Sequence, residues 1–296
     1  PPDVEYDAAG NGINANGAIW GGGVGVNGNG STYVNWFWKA GGAAVSNSDG
    51  TITTSISANQ EAGFSIVTYT GTGSAATIGH GLGKVPKLVI TKLRDTTTQD
   101  WFMNVGEMTG SHGTSAVSDF TGDRGKYIKL NSINAEVSET TVYPNTAATS
   151  TVYSVGTDNA VNGSGSKYVA YCWAEIPGYS KFGSYEGKSD ADGPNVYLGF
   201  RPAFLFIRKR QGEDTVIYDN KTQTRNEIGQ AGRLYIDLDN QQSSTTKDMD
   251  FHSNGFKLRK HTGIVNAASG NAVYVYMAIA EKPDLTPYNA VPTAKS

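Results

Sequence analysis

The chain has 296 residues, 37 of them Gly, with 17% charged and 38% hydrophobic. At roughly 100 to 200 residues per domain, this length predicts about two units, each able to bury a core without staples. A single cysteine, Cys172, excludes an intrachain disulfide or a Cys-based zinc cluster. The net charge of −3 gives no phosphate-seeking surface, and clustered Gly with only 10 Pro excludes collagen. No apolar run approaches the roughly 20 residues that a membrane-spanning helix needs, so no membrane insertion is expected.

Pro1-Pro2-Asp3 opens with neither a charged leader nor an apolar signal core, and without an initiator methionine, which predicts a processed chain or a fragment. Residues 1–31 carry Gly10-Asn11-Gly12, Gly21-Gly22-Gly23 and Asn27-Gly28-Asn29-Gly30 with few large apolar groups besides Trp20. Such a stretch cannot bury enough apolar surface to offset the entropy of ordering it, so an irregular arm is expected, with Trp20 anchoring it to a partner. A phosphate cradle would need a strand before the glycines and a helix after them, and neither pattern is present.

Next comes Tyr33-Val34-Asn35-Trp36-Phe37-Trp38-Lys39-Ala40, which reads as a strand. Beyond it, short runs rich in Val, Ile, Tyr, Phe and Thr are punctuated by Gly, Asn, Asp and Ser. Strands are expected at Phe64 to Tyr69, Lys87 to Lys92, Tyr127 to Leu130, Tyr168 to Trp173, Ala203 to Arg208, Leu234 to Leu238 and Ala272 to Ala280. The fold class is all-β and antiparallel. Runs apolar on both alternations, such as Tyr168 to Trp173, predict strands covered on both faces, with Cys172 a small buried hydrophobe.

An internal repeat organises these strands. Tyr69, Gly71, Leu82-Gly83, Pro86 and Lys92-Leu93-Arg94 match Tyr185, Gly187, Leu198-Gly199, Pro202 and Arg208-Lys209-Arg210 at one offset of 116 positions, and Asn104 and Asn220 continue it. Tyr127 to Leu130 then pairs with Tyr235 to Leu238, and Tyr168-Val169, Ala174-Glu175 and Pro177 with Tyr274-Val275, Ala280-Glu281 and Pro283. The reading is two homologous β-sandwich domains, residues 63–179 and 180–296, preceded by a Gly-rich arm at 1–31 and by a partial repeat strand and linker at 32–62. The lone strand at 33–40 resembles 168–175, and is expected to complete a sheet with a neighbouring chain or to be the tail of a lost domain. Gly83 and Gly199 suggest tight corners, and Pro86 and Pro202 strand starts that can spare an N–H.

No catalytic, cofactor or metal site is expected. His80, His112, His252 and His261 share no ligand spacing, and His80 aligns with Val196. Gly79-His80-Gly81-Leu82-Gly83-Lys84 fails the phosphate-loop spacing, and Val85-Pro86 leads into a strand. Ser189-Asp190-Ala191-Asp192-Gly193 begins like a calcium loop but lacks its closing acid, which leaves a surface turn. Asp237 and Asp239 share a strand face, but their counterparts are Lys129 and Asn131, so they read as solvent-facing. Lys92, Arg94, Arg208 and Arg210 read as solvated strand ends with loose ion pairs, with an anionic-glycan contact as the rival. Trp101 aligns with Ile217 and reads as core.

Several segments resemble a recurring block in virion-surface and tail-fibre-like proteins of marine tailed bacteriophages. They are Val34 to Gly41, Gly63 to Tyr69, Gly79 to Pro86 and Tyr168 to Tyr185, within about residues 32 to 285. The resemblance implies a non-enzymatic sandwich, similar to concanavalin-like or jelly-roll folds, in a virion assembled in the host cytoplasm. The implied role is an exterior tail-fibre or appendage subunit involved in host attachment, whose partners are copies of itself, other virion proteins and a host-surface glycan. Nucleic acid is not an implied partner, and no binding residue is carried over. A head decoration or capsid-stabilising protein and a carbohydrate-binding adhesin module are the competing roles.

Overall fold

The computed structural model describes residues 12–14, 17–19, 27–95, 99–106, 108, 124–222, 232–238, 240, 242, 248–260, 263–267 and 272–281. Two compact units divide at Trp38/Lys39.

In the first unit, β1 (Gly12–Asn14) and β2 (Gly17–Ile19) pair antiparallel, with Asn14 opposite Gly17. The arm is therefore not wholly irregular, which corrects the expectation from its glycine content: an antiparallel ladder supplies the backbone partners that its side chains do not. The strand expected at 33–40 is not formed. Its residues alternate between exposed and half-buried, with Tyr33 44% and Phe37 58% exposed. A strand requires a ladder as well as this alternation, and residues 31–40 join none among the described residues. Trp20 lies outside the described residues.

The second unit is almost entirely antiparallel β. Its largest sheet has eight strands in the order β10-β9-β8-β7-β12-β5-β4-β3. In chain order these are β3 (Val45–Asn47), β4 (Thr54–Asn59), β5 (Phe64–Thr70), β7 (Pro86–Leu93), β8 (Trp101–Asn104), β9 (Lys126–Lys129), β10 (Val137–Ser138) and β12 (Lys167–Ala174). A small sheet of β6 (Ala76–Gly79) and β11 (Val152–Val155) supplies Ile78, Tyr153 and Val155 to the core beneath it, where they meet Val67, Tyr168, Ala170 and Cys172. The linker expected at 32–62 contributes β3 and β4. The Thr54-Ser55-Ile56-Ser57 alternation, with Ile56 buried and Ser55 exposed, is the signal for β4.

The second half is built alike. Strands β13 (Ser180–Glu186), β15 (Pro202–Lys209), β16 (Thr215–Asp219), β17 (Leu234–Tyr235) and β20 (Val273–Ala280) form a sheet in the order β13-β20-β15-β16-β17. Its run β16-β15-β20-β13 repeats β8-β7-β12-β5 of the first sheet. Strands β14 (Asn195–Tyr197), β18 (Met249–His252) and β19 (Gly255–Leu258) cover it, and Val196, Phe251, Phe256 and Leu258 fill its core with Tyr185 and Tyr276. In the first half a short helix, α1 (Asn159–Asn162), is capped by the Asp158 carboxylate, which accepts from the Ala160 N–H at 2.7 Å.

The repeated punctuation has the expected geometry. Gly83 and Gly199 have φ of 67° and 86°, a region that a side chain disfavours. Pro86 opens β7 and Pro202 opens β15, and in each ladder to β12 or β20 the register shifts just beyond the proline, a bulge that frees the strand entrance.

One repeated block is displaced. Tyr127 faces Asn104, so the sequence repeat would place Tyr235 opposite Asn220, but Tyr235 faces Val216, four residues earlier. An even shift keeps each side chain on its own face. Of the expected strand at 234–238, only Leu234–Tyr235 is strand.

Candidate functional site

Among the described residues, polar groups gather at several buried places, two of which organise the fold, and along one open trough. The first buried place is duplicated. In the first sandwich Tyr69 and Tyr168 stack at 5.1 Å and 17°, and in the second Tyr185 and Tyr274 stack at 5.0 Å and 10°. The Tyr69 hydroxyl donates to the Val161 carbonyl at 2.6 Å, and Tyr185 to that of Val265 at 2.8 Å. The Tyr168 hydroxyl donates to Asn159 O and accepts from the Gly163 N–H. Tyr274 likewise donates to Gly263 O and accepts from Ala267 N–H. Burial raises the Tyr274 pKa to about 12, so the hydroxyl stays protonated as this network needs.

The residue after each of these valines is a fully buried amide. Asn162 accepts from Thr72 N–H at 2.9 Å and donates to the carbonyls of Ser74 and Gly156 at 2.6 and 2.7 Å. Asn266 accepts from Lys188 N–H at 2.8 Å and donates to Asp190 and Lys260 at 2.8 and 2.5 Å. Gly71 and Gly187 pass so close that an added Cβ would lie 2.3 and 2.0 Å from the carbonyls of Gly163 and Ala267. The recurrence of Val161-Asn162 as Val265-Asn266 is the signal that the sequence reading left unused. This arrangement pins three loops at one end of each sandwich, a structural role.

The second buried place joins the sandwiches. Each main sheet buries a further row on the face opposite its core: Ile90, Met103 and Ile128 in the first, Phe206, Ile217 and Met277 in the second. Arg208 and Thr215 share that face of the second sheet and reach into the first half. The Arg208 Nη2 donates to the carbonyls of Ser132 and Asn134 at 2.7 and 2.6 Å, and Thr215 Oγ1 to Leu130 O at 3.5 Å. Arg208 Nη1 meets Asp237 Oδ2 at 3.3 Å, with both side chains 0% exposed. Arg210 makes a bidentate pair with Glu136 at 2.6 and 2.8 Å.

Arg208 and Arg210 are thus not solvated strand ends, and Asp237 does not face solvent. The even register shift of β17 carries Asp237 to Thr215, whose N–H donates to both carboxylate oxygens at 3.0 Å. Burial lowers the Arg208 pKa and the Asp237 charge opposes that shift.

The open place is a trough along the outer face of β4 and β5. One part, about 1010 Å³, runs past Lys39, Gly42, Ser57, Asn59 and Glu61; the other, about 390 Å³, runs past Ser46, Thr53, Thr70, Arg94 and Lys167. Ser55 and Thr68 line both.

The remaining candidates resolve individually. His80 is buried: Nδ1 accepts from the Leu82 N–H at 3.2 Å, so Nε2 carries the proton toward Thr149 O at 3.2 Å. Burial lowers its pKa. Cys172 is buried and its thiol pKa is raised by that burial. Residues 79–84 lead into β7 as expected. Asp190 and Asp192 lie in an exposed turn, where Asp190 accepts from the Asp192 N–H at 2.8 Å and Asp192 pairs with Lys257 at 2.7 Å. Trp101 is half-buried on the outer face and stacks on Tyr171 at 6.2 Å, so it is not core. His252 is half-buried at the end of β18. Among the described residues no three His, Cys, Asp or Glu converge as a metal site. His112, His261 and Asp239 lie outside the described residues.

Comparison with known proteins gives one family: that described as "Domain of unknown function (DUF7483)" matches residues 4–283. No curated protein matches the chain. Among solved structures, the major capsid protein P2 from Bacteriophage PM2 is similar at 11% identity and a TM-score of 0.22, over 72% of this chain and 94% of that one. The STIV MCP is similar at 8% identity and a TM-score of 0.18, over 82% and 92%. At such TM-scores neither likeness carries an argument about this chain.

Proposed function

The chain belongs to that family of unknown function, and we propose that it is a structural protein of a bacteriophage virion, an exterior tail-fibre or appendage subunit rather than an enzyme. The observation that carries this reading is the use made of its buried polar groups. Arg208, Asp237, Asn162 and Asn266 all bind loops, strands or the two sandwiches to one another. Asp248, wholly buried, likewise accepts from the Tyr218 hydroxyl at 2.7 Å and from Arg233 at 3.1 Å. These groups sit in the joints of the framework rather than around a cleft where a substrate could reach them. The segments that resemble virion-surface proteins support the same reading, and point to copies of itself and other virion proteins as partners in a particle assembled in the host cytoplasm.

The test is position. Gold-coupled antibodies raised against the recombinant chain should label the tail fibres of intact particles of the phage that encodes it. Label on the head would instead favour a capsid decoration, and particles without the chain by mass spectrometry would overturn the virion role.

A further inference from the structure

The trough on the first sandwich has a chemistry that the framework does not use. Its floor is a cross-strand row of hydroxyls, Ser46 opposite Ser55 and Ser55 opposite Thr68. Thr70 opposite Lys167 continues it toward one end. Ser46, Ser55 and Thr70 are exposed, and their hydroxyls make no hydrogen bond among the described residues. At that end stand two exposed cations on adjacent strands. The Arg94 N–H donates to the Lys167 carbonyl at 2.8 Å, and by strand alternation both side chains project on the outer face. No carboxylate pairs with either side chain among the described residues; Asp95 accepts instead from the Lys167 main-chain N–H at 2.6 Å. On the same face the trough wall is continued by Ile66, half-buried and opposite Tyr171 of β12.

Among the described residues the second sandwich has no matching row. Arg210, the counterpart of Arg94, is held by Glu136, and Ser184, the counterpart of Thr68, is fully buried. Strands β3 and β4 extend the first sheet beyond β5, whereas β13 is the last strand of the second. The trough is therefore specific to one of two similar halves, and the repeat itself does not require it.

We propose that this trough binds a carboxylated polysaccharide, with sugar hydroxyls on the Ser46-Ser55-Thr68 row and a uronate-type carboxylate on Arg94 and Lys167. A row of hydroxyls suits a polyhydroxylated ligand that exchanges its hydration for equivalent hydrogen bonds. A guanidinium presents a fork that matches a carboxylate. Nucleic acid fits less well, because two cations at one end do not follow a repeating phosphate backbone. A protein segment fits less well too, because the floor offers hydroxyls where apolar anchors would sit. The proposal rests on the exterior position of the chain and adds the class of ligand it meets there.

Calorimetric titration of the full chain with oligogalacturonate, oligoalginate and oligosialate, against neutral oligosaccharides of equal length, tests it. At least one acidic series should bind, more weakly at 0.5 M NaCl. The R94A/K167A variant, with unchanged Tm, should bind at least tenfold less tightly, and S55V/T68V should bind less tightly with the salt dependence retained. A flat response to every acidic series would overturn the proposal, as would equal binding of neutral oligomers or wild-type affinity in R94A/K167A. Gold labelling of the virion exterior together with a flat titration would leave the structural role standing and remove only the glycan.

Discussion

Asp237→Ala should be among the most damaging single substitutions in the chain. It removes the only carboxylate paired with Arg208 among the described residues, from a site where both side chains are wholly buried. It also takes away the acceptor that holds the Thr215 N–H at 3.0 Å. Arg208 would keep its bonds to the Ser132 and Asn134 carbonyls. Its charge, however, would then sit in the interior without a carboxylate in contact, with only the more distant charges of Asp214 and Glu213 to offset it. Removing one partner of a buried pair costs about 3–5 kcal/mol, which for a unit of this size lowers Tm by roughly 5–10 °C. Asp237→Asn keeps an acceptor for Thr215 and loses only the charge, so it should fall between wild type and Asp237→Ala.

The double variant R208M/D237L separates this account from simple packing loss. With both charges replaced by apolar groups, the Thr215 N–H and the Ser132 and Asn134 carbonyls lose their partners but no unpaired charge is left buried, so the protein should be destabilised, yet less than in Asp237→Ala alone. Differential scanning calorimetry and urea titration read all four proteins. Since Arg208 ties the second sheet to the 132–134 segment of the first, loss of the joint should also broaden or split the unfolding transition. A loss under about 1 kcal/mol in Asp237→Ala, or a double variant as unstable as the single one, would refute the reasoning.

Three further substitutions probe other buried groups. Asn266→Ala strands the Lys188 N–H and the Asp190 and Lys260 carbonyls, so a loss of about 2–4 kcal/mol is expected. Asn162→Ala should match it in the first sandwich, and a loss near zero in chemical denaturation would mean that water replaces the amide. His80 makes the stability depend on pH. Because burial lowers its folded pKa from 6.5, the unfolded chain binds the proton more readily. Its contribution is intact above pH 6.5 and is lost as pH falls through the folded value. Replacing it with the valine found at its counterpart, His80→Val, should flatten that acid limb of the Tm against pH curve, and an unchanged limb would exclude His80 as its source.

Much of the framework could be read from the chain. Strands at 64–70, 86–93, 167–174, 202–209 and 273–280 follow from apolar runs bounded by Gly and Pro, and Gly83 and Gly199 take the left-handed φ that their corners require. These are local properties, set by the steric limits of each residue and the two-residue period of a strand. The tyrosine pairs were visible as repeated letters, though not as stacked rings, because the pairing of β5 with β12 joins residues about a hundred positions apart.

Which faces are covered was settled only in three dimensions. Arg94 and Arg210 occupy equivalent places in the repeat, yet one is exposed at the trough and the other is clamped by Glu136. Asp237 reads as a surface carboxylate beside its counterpart Lys129, and becomes buried through a four-residue change of register and the approach of the first sandwich. The pattern of a strand tells which side chains share a face, and that much the sequence determined. Whether water or another sheet lies against that face depends on contacts between distant segments, which local periodicity does not encode. The same limit applies to Tyr33 to Ala40, where the alternation of a strand is present and the ladder that would make it one is not.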